Sequence, residues 1–163
     1  MNQKNTTTPP STDIPIKVLL ADDDIDDRYF FEKVLKSLMV NTELTTVEDG
    51  ERLMIYLAEN SAKLPDILFL DLNMPKKNGT ECLSEIKQDE RLKHLPVIIF
   101  STHKHEQDSD ILYEKGAHYY IRKTDMIELA KALHHILKLM VETKFERPAK
   151  EKFNLTVDTL KLS

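Results

Sequence analysis

Four short stretches of this chain place reactive side chains directly behind runs of apolar residues. Asp22-Asp23-Asp24 follows IKVLLA (16–21), and Asp71 follows ILFL (67–70), with Leu72-Asn73-Met74-Pro75 behind it. Ser101 and Thr102 follow VIIF (97–100), and Lys123 comes just past HYYI (118–121). Three carboxylates crowded together repel one another and raise each other's pKa. A hard divalent cation resolves that repulsion, and Mg²⁺ favours a few carboxylates together with waters and phosphate oxygens. A lysine across the site balances further negative charge, and a hydroxyl can donate to a phosphoryl oxygen. Such a set suits a carboxylate that attacks phosphorus while metal, Lys and Ser stabilise charge on the equatorial oxygens.

The elements that must position these groups are legible in the same pattern. With LTTV (44–47) there are five apolar runs, most of them short and continuously apolar, as strands covered on both faces are. Between them lie amphipathic stretches. Tyr29, Phe30, Val34, Leu35 and Leu38 recur at helical spacing, as do Leu53, Ile55, Tyr56 and Leu57, then Leu83 and Ile86, with a weaker case at 110–114. The longest stripe is Ile127, Leu129, Ala130, Leu133, Ile136 and Leu137. Strand and helix in alternation predict an α/β fold, a doubly wound five-stranded parallel sheet with helices on both faces. Sites in such sheets form beyond the carboxyl ends of the strands, where the reactive residues fall.

Composition narrows the class. The 163 residues leave no room for a second large domain, and 40% hydrophobic with 31% charged residues describes a globular chain. A net charge of −5 argues against a nucleic-acid surface. The single cysteine, Cys82, suits a reducing compartment and reads as a small packed hydrophobe. Neither a membrane-length apolar run nor a signal-peptide block is present, so a cytoplasmic location is expected. Residues 1–15, polar and rich in Thr and Pro, read as a flexible leader, 16–141 as the domain, and 142–163 as a C-terminal tail without an output domain. Within that tail FNLTVDTLKL fits an edge strand, a docking arm, a self-association element or a partly ordered extension.

ADDD, FLDLNMPKKNG, FST and YIRK, in this order and spacing, resemble the receiver domain of two-component response regulators, the CheY-like fold. The resemblance spans roughly residues 16–140 and implies strand order 2-1-3-4-5. Asp71 would be the phospho-acceptor. Asp23 would bind Mg²⁺ directly, Asp22 would assist through a water, and Asp71 and the backbone carbonyl of Asn73 would complete the protein ligands. Ser101 matches the switch hydroxyl, Lys123 the family lysine and Tyr120 the switch aromatic. Asn73 and His103, two residues beyond acceptor and switch, would tune the phosphoryl lifetime. One departure is Thr124, where the family usually has a proline in a cis peptide.

The implied function is a stand-alone response regulator that takes its phosphoryl group from a sensor histidine kinase, phytochrome-type or hybrid, or from a phosphotransfer protein. It would be no enzyme beyond its own self-phosphorylation and autodephosphorylation. Its output would be contact with a downstream protein, a relay kinase or a second copy in a homodimer, without nucleic acid or membrane. A haloacid-dehalogenase-type enzyme is the first competitor, but it needs a general acid where Asn73 stands. A degenerate adaptor would lack the acceptor, a ligand or the lysine, and a nucleotide switch would need a Gly-rich loop. DDDIDD mimics the start of an EF-hand loop, yet Asp27 replaces its glycine and Lys33 its bidentate glutamate. His103 and His105 read as loop residues rather than a metal pair, and His134 and His135 as surface or partner-facing.

Overall fold

The computed structural model describes residues 14–102 and 106–160. Strands β1 (Ile16–Ala21), β2 (Thr42–Val47), β3 (Ile67–Leu70), β4 (Val97–Ser101) and β5 (Tyr119–Arg122) alternate with helices α1 (Ile25–Ser37), α2 (Gly50–Glu59), α3 (Gly79–Gln88), α4 (Glu106–Glu114) and α5 (Met126–Val141). All described strand pairings are parallel, and the sheet order is β2-β1-β3-β4-β5-β6. The expected order 2-1-3-4-5 is therefore present. The expected count of five is corrected to six by β6 (Asn154–Leu155), a two-residue strand beside β5.

Alternation along each strand divides the core into two layers. Val18, Leu20, Phe69 and Phe100 face α1 and α5, while Leu19, Leu68, Leu70 and Ile99 face α2, α3 and α4. Phe31 of α1 packs its ring 5.0 Å from Phe69 and 5.6 Å from Phe100, which seats α1 over the middle of the sheet. Side-chain caps start four helices. Asp24, Asp49, Asn78 and Asp125 accept from the backbone N–H groups of Asp26, Arg52, Glu81 and Glu128. Among the described residues no helix is long and apolar enough to cross a membrane.

The last segment returns along the β5 edge. Helix α5 ends at Val141, Thr143 just beyond it is left-handed at φ 55°, and the chain doubles back with the N–H of Lys144 on the Leu139 carbonyl. Arg147 Nε donates to the Ala117 carbonyl (3.2 Å), and the Tyr113 hydroxyl donates to the Pro148 carbonyl (2.9 Å). A 3₁₀ turn, Lys150–Lys152, then delivers Phe153, 1% exposed, against Tyr113 and Tyr120. The Tyr120 N–H donates to the Phe153 carbonyl, β6 follows, and the short helix α6 (Val157–Leu160) starts at Thr156, whose hydroxyl accepts from the Thr159 N–H. Within FNLTVDTLKL the edge-strand reading is met at Asn154–Leu155, with a helical turn behind it, and the segment 144–160 forms a C-terminal arm along β5.

Candidate functional site

Strand β1 runs out into Asp22 and β3 into Asp71, and the backbone ladder continues one step past both ends. Asp22 donates its N–H to the Val47 carbonyl and Asp71 donates to the Ala21 carbonyl. Both carboxylates are thereby fixed by sheet geometry rather than by a mobile loop. Gly79 permits the close approach of α3, since a Cβ there would collide with the Asp71 carbonyl. Arg28 Nη1 donates to the Asp22 carbonyl (2.8 Å) and ties the first turn of α1 to the same loop.

The sequence-predicted residues converge. One oxygen each from Asp22, Asp23 and Asp71 can be chosen so that all lie within 4.8 Å of one another. Asp22 and Asp71 are buried and Asp23 is exposed. Lys123 reaches in from the end of β5, its backbone N–H on the Ser101 carbonyl and its ammonium over the face of Phe100 at 5.3 Å. Nζ lies 2.7 Å from Asp22 Oδ2, 2.9 Å from Asp27 Oδ2 and 3.3 Å from Asp71 Oδ2. The Asp22 approach is an ion pair without the alignment of a directed hydrogen bond, so this buried oxygen keeps unused acceptor capacity. Asp71 Oδ1 accepts from the Asn73 N–H at 3.3 Å. Ser101 is fully buried, and a side-chain hydrogen bond links it to Tyr120.

Burial outweighs the ammonium in the electrostatics. It pushes the Asp71 carboxyl up to about 6, with Lys123 opposing and Asp22 adding to the rise. Asp22 is raised for the same first reason, against its contact with Lys123. Burial works against the Lys123 ammonium, but its contacts with Asp22, Asp27 and Asp71 raise it above the usual lysine range. A pocket with too many carboxylates, one ammonium and an under-used buried oxygen fits a hard divalent cation, which Asp22, Asp23 and Asp71 could hold.

The described peptides are all trans, Lys123–Thr124 included. His103 and His105 lie outside the described residues, as does the expected leader up to residue 13. Asp27 is the site residue that sequence reasoning passed over. It stands 96 residues from Lys123, and the available signal was its place in the acidic run that opens α1, on the first turn of the helix.

Comparison with known proteins agrees with this geometry. The model of the response regulator receiver domain matches residues 18–134. Response regulator Rcp1 of Synechocystis sp. is 36% identical over 135 residues, covering 79% of this chain and 91% of Rcp1. The crystal structure of the phosphorylated cyanobacterial phytochrome response regulator RcpA superposes with a TM-score of 0.72 at 33% identity, over 83% of this chain and all of that one. The Mn²⁺-bound form of Rcp1 gives 0.70 at 34% identity with the same coverage. The chain belongs to the response regulator receiver domain family of two-component systems.

Proposed function

We propose that Asp71 is the phospho-acceptor of this receiver and that Mg²⁺ is its metal. The observation that carries this reading is the Lys123 ammonium 3.3 Å from Asp71, beside a pocket where three carboxylates can share one cation. Asp23 and Asp22, the latter through a water, Asp71 and the Asn73 carbonyl would hold the ion, which supplies charge neutralisation for the phosphoryl oxygens when bound. Asp71 attacks the phosphorus of a phosphohistidine. The P–N bond breaks, its electron pair leaves with the imidazole, and an aspartyl phosphate remains. Lys123 supports one phosphoryl oxygen and the Ser101 hydroxyl donates to another, releasing its present partner Tyr120. Asn73 and His103 would flank the water that later hydrolyses the acyl phosphate.

The donor would be a sensor histidine kinase, phytochrome-type or hybrid, or a phosphotransfer protein, a reading supported by the phytochrome response regulators among its relatives. Output would pass by protein contact. Incubation with a small phosphodonor and Mg²⁺ should add one phosphoryl group by intact mass, and Asp71→Asn should abolish the gain. Labelling that persists in Asp71→Asn would move the acceptor elsewhere.

A further inference from the structure

Lys123 and a divalent cation draw on oxygens of the same carboxylates. Two of the three carboxylates that contact the ammonium, Asp22 and Asp71, also belong to the trio able to converge on a metal. A cation drawn to those oxygens would take the lysine's partners and repel its charge. The Phe100 face lines the ammonium but supplies no full counter-charge. Asp27 is different. Its Oδ2 accepts from Nζ at 2.9 Å, it stands outside the converging trio, and its side chain is 36% exposed, so water shares the cost of its charge. Its backbone is also fixed relative to the site, because Asp24 caps α1 and the adjacent Arg28 bonds the Asp22 carbonyl.

We infer that Asp27 is the positioning residue that keeps the Lys123 ammonium inside the pocket once a divalent cation occupies the carboxylates. The inference rests on the reading of the pocket as a metal-assisted phosphoryl-accepting site. Without Asp27, every carboxylate that contacts the ammonium is also one of the trio, so metal entry weakens the hold on the lysine. With it, both positive charges are present together, as a phosphoryl group with three oxygens requires.

The test follows the lysine directly. In full chain carrying ¹⁵N-labelled lysine, the Nζ signal of Lys123, assigned through Lys123→Met, should persist in the wild type when Mg²⁺ is added to saturation. In Asp27→Asn it should be present without metal and vanish on titration, and Asp27→Glu should retain it. Phosphorylation by a small phosphodonor should slow by about tenfold in Asp27→Asn and recover in Asp27→Glu. Asp26→Asn, which removes the same charge from the same helical turn, should change neither readout. An Asp27→Asn protein that keeps the Lys123 signal at saturating Mg²⁺, or an Asp26→Asn protein that behaves like it, would overturn the inference. A wild type that accepts no phosphoryl group would instead overturn the proposed function, while the lysine signal would still decide the role of Asp27.

Discussion

The two ends of the parallel sheet carry opposite charge and satisfy it by different means. At the carboxyl end Asp22, Asp27 and Asp71 gather around the Lys123 ammonium, with Asp23 beside Asp22 and Asp71. At the amino end Lys87, His118 and Arg147 gather, held by backbone groups and aromatic faces. Lys87 Nζ donates to the carbonyls of Lys93 (3.1 Å) and Leu95 (2.8 Å). The Arg147 guanidinium lies 3.9 Å from the centre of the Tyr113 ring, and His118 stacks on Phe145. Burial, then the neighbouring Lys87 and Arg147, push His118 down to about 4, and burial takes Lys87 down to about 8. The amino end is thus satisfied by its own chain, whereas the carboxyl end holds more carboxylates than the Lys123 ammonium balances. Structure and reactivity have been sorted to opposite edges of one sheet.

The comparison depends first on the arm, which brings Phe145 and Arg147 to the amino end. Phe153→Ala should loosen that arm by about 3 kcal/mol, read as roughly hundredfold faster hydrogen exchange of the Tyr120 amide. His118 should then titrate closer to its ordinary value, since cover and cation depart together.

The second expectation is a pH response of opposite sign at the two ends. His118 binds fewer protons folded than unfolded, so its contribution is complete above about pH 6.5 and is lost as pH falls toward about 4. Acid unfolding followed by chemical denaturation should show about 2 kcal/mol lost over that window, and His118→Gln should flatten it. Asp71 binds more protons folded than unfolded between its ordinary 3.8 and about 6, so stability falls as pH rises through that range. Metal-free Asp71→Asn should therefore be more stable than wild type at pH 7.5 by about 1 kcal/mol, part of the relief being offset by the lost contact with Lys123, and the gain should shrink as pH falls from about 6 toward 3.8. Equal slopes at the two ends would break the contrast. The smallest effect belongs to the exposed Lys150–Asp110 pair at 3.3 Å, where Lys150→Ala should change the melting free energy by less than about 0.5 kcal/mol.

Legibility in the sequence follows the same division. Asp22, Asp71 and Ser101 were readable because each directly follows an apolar run, and Lys123 because it stands one residue past its own; a strand end is a position that local pattern reveals. Asp23 came with them through adjacency. The Asp27–Lys123 pair was hidden by a separation of 96 positions, although Asp27 stood in view within the acidic run DDDIDD. The sixth strand was ambiguous for a different reason. Two residues give no periodicity, and Phe153, which anchors them, is buried by partners on α4 and β5 rather than by any neighbour in sequence. The basic end left still less trace, because Lys87, His118 and Arg147 take their character from burial, and burial depends on where the arm lands.

Strand β6 also changes what the sheet presents to other molecules. Without it, β5 would offer four residues of unpaired backbone at an open margin, a ready template for a foreign strand. The arm pairs two of those positions, leaves only the two residues of Asn154–Leu155 outermost, and then turns at Thr156 into a helix that cannot extend the ladder. At the opposite margin β2 shows Thr42, Glu43, Thr45 and Thr46 among its six residues, a polar strip that rewards no sticky partner. A short self-complement at one margin and polarity at the other protect the chain against edge-to-edge aggregation, so shortening the arm should first be seen as turbidity at high protein concentration.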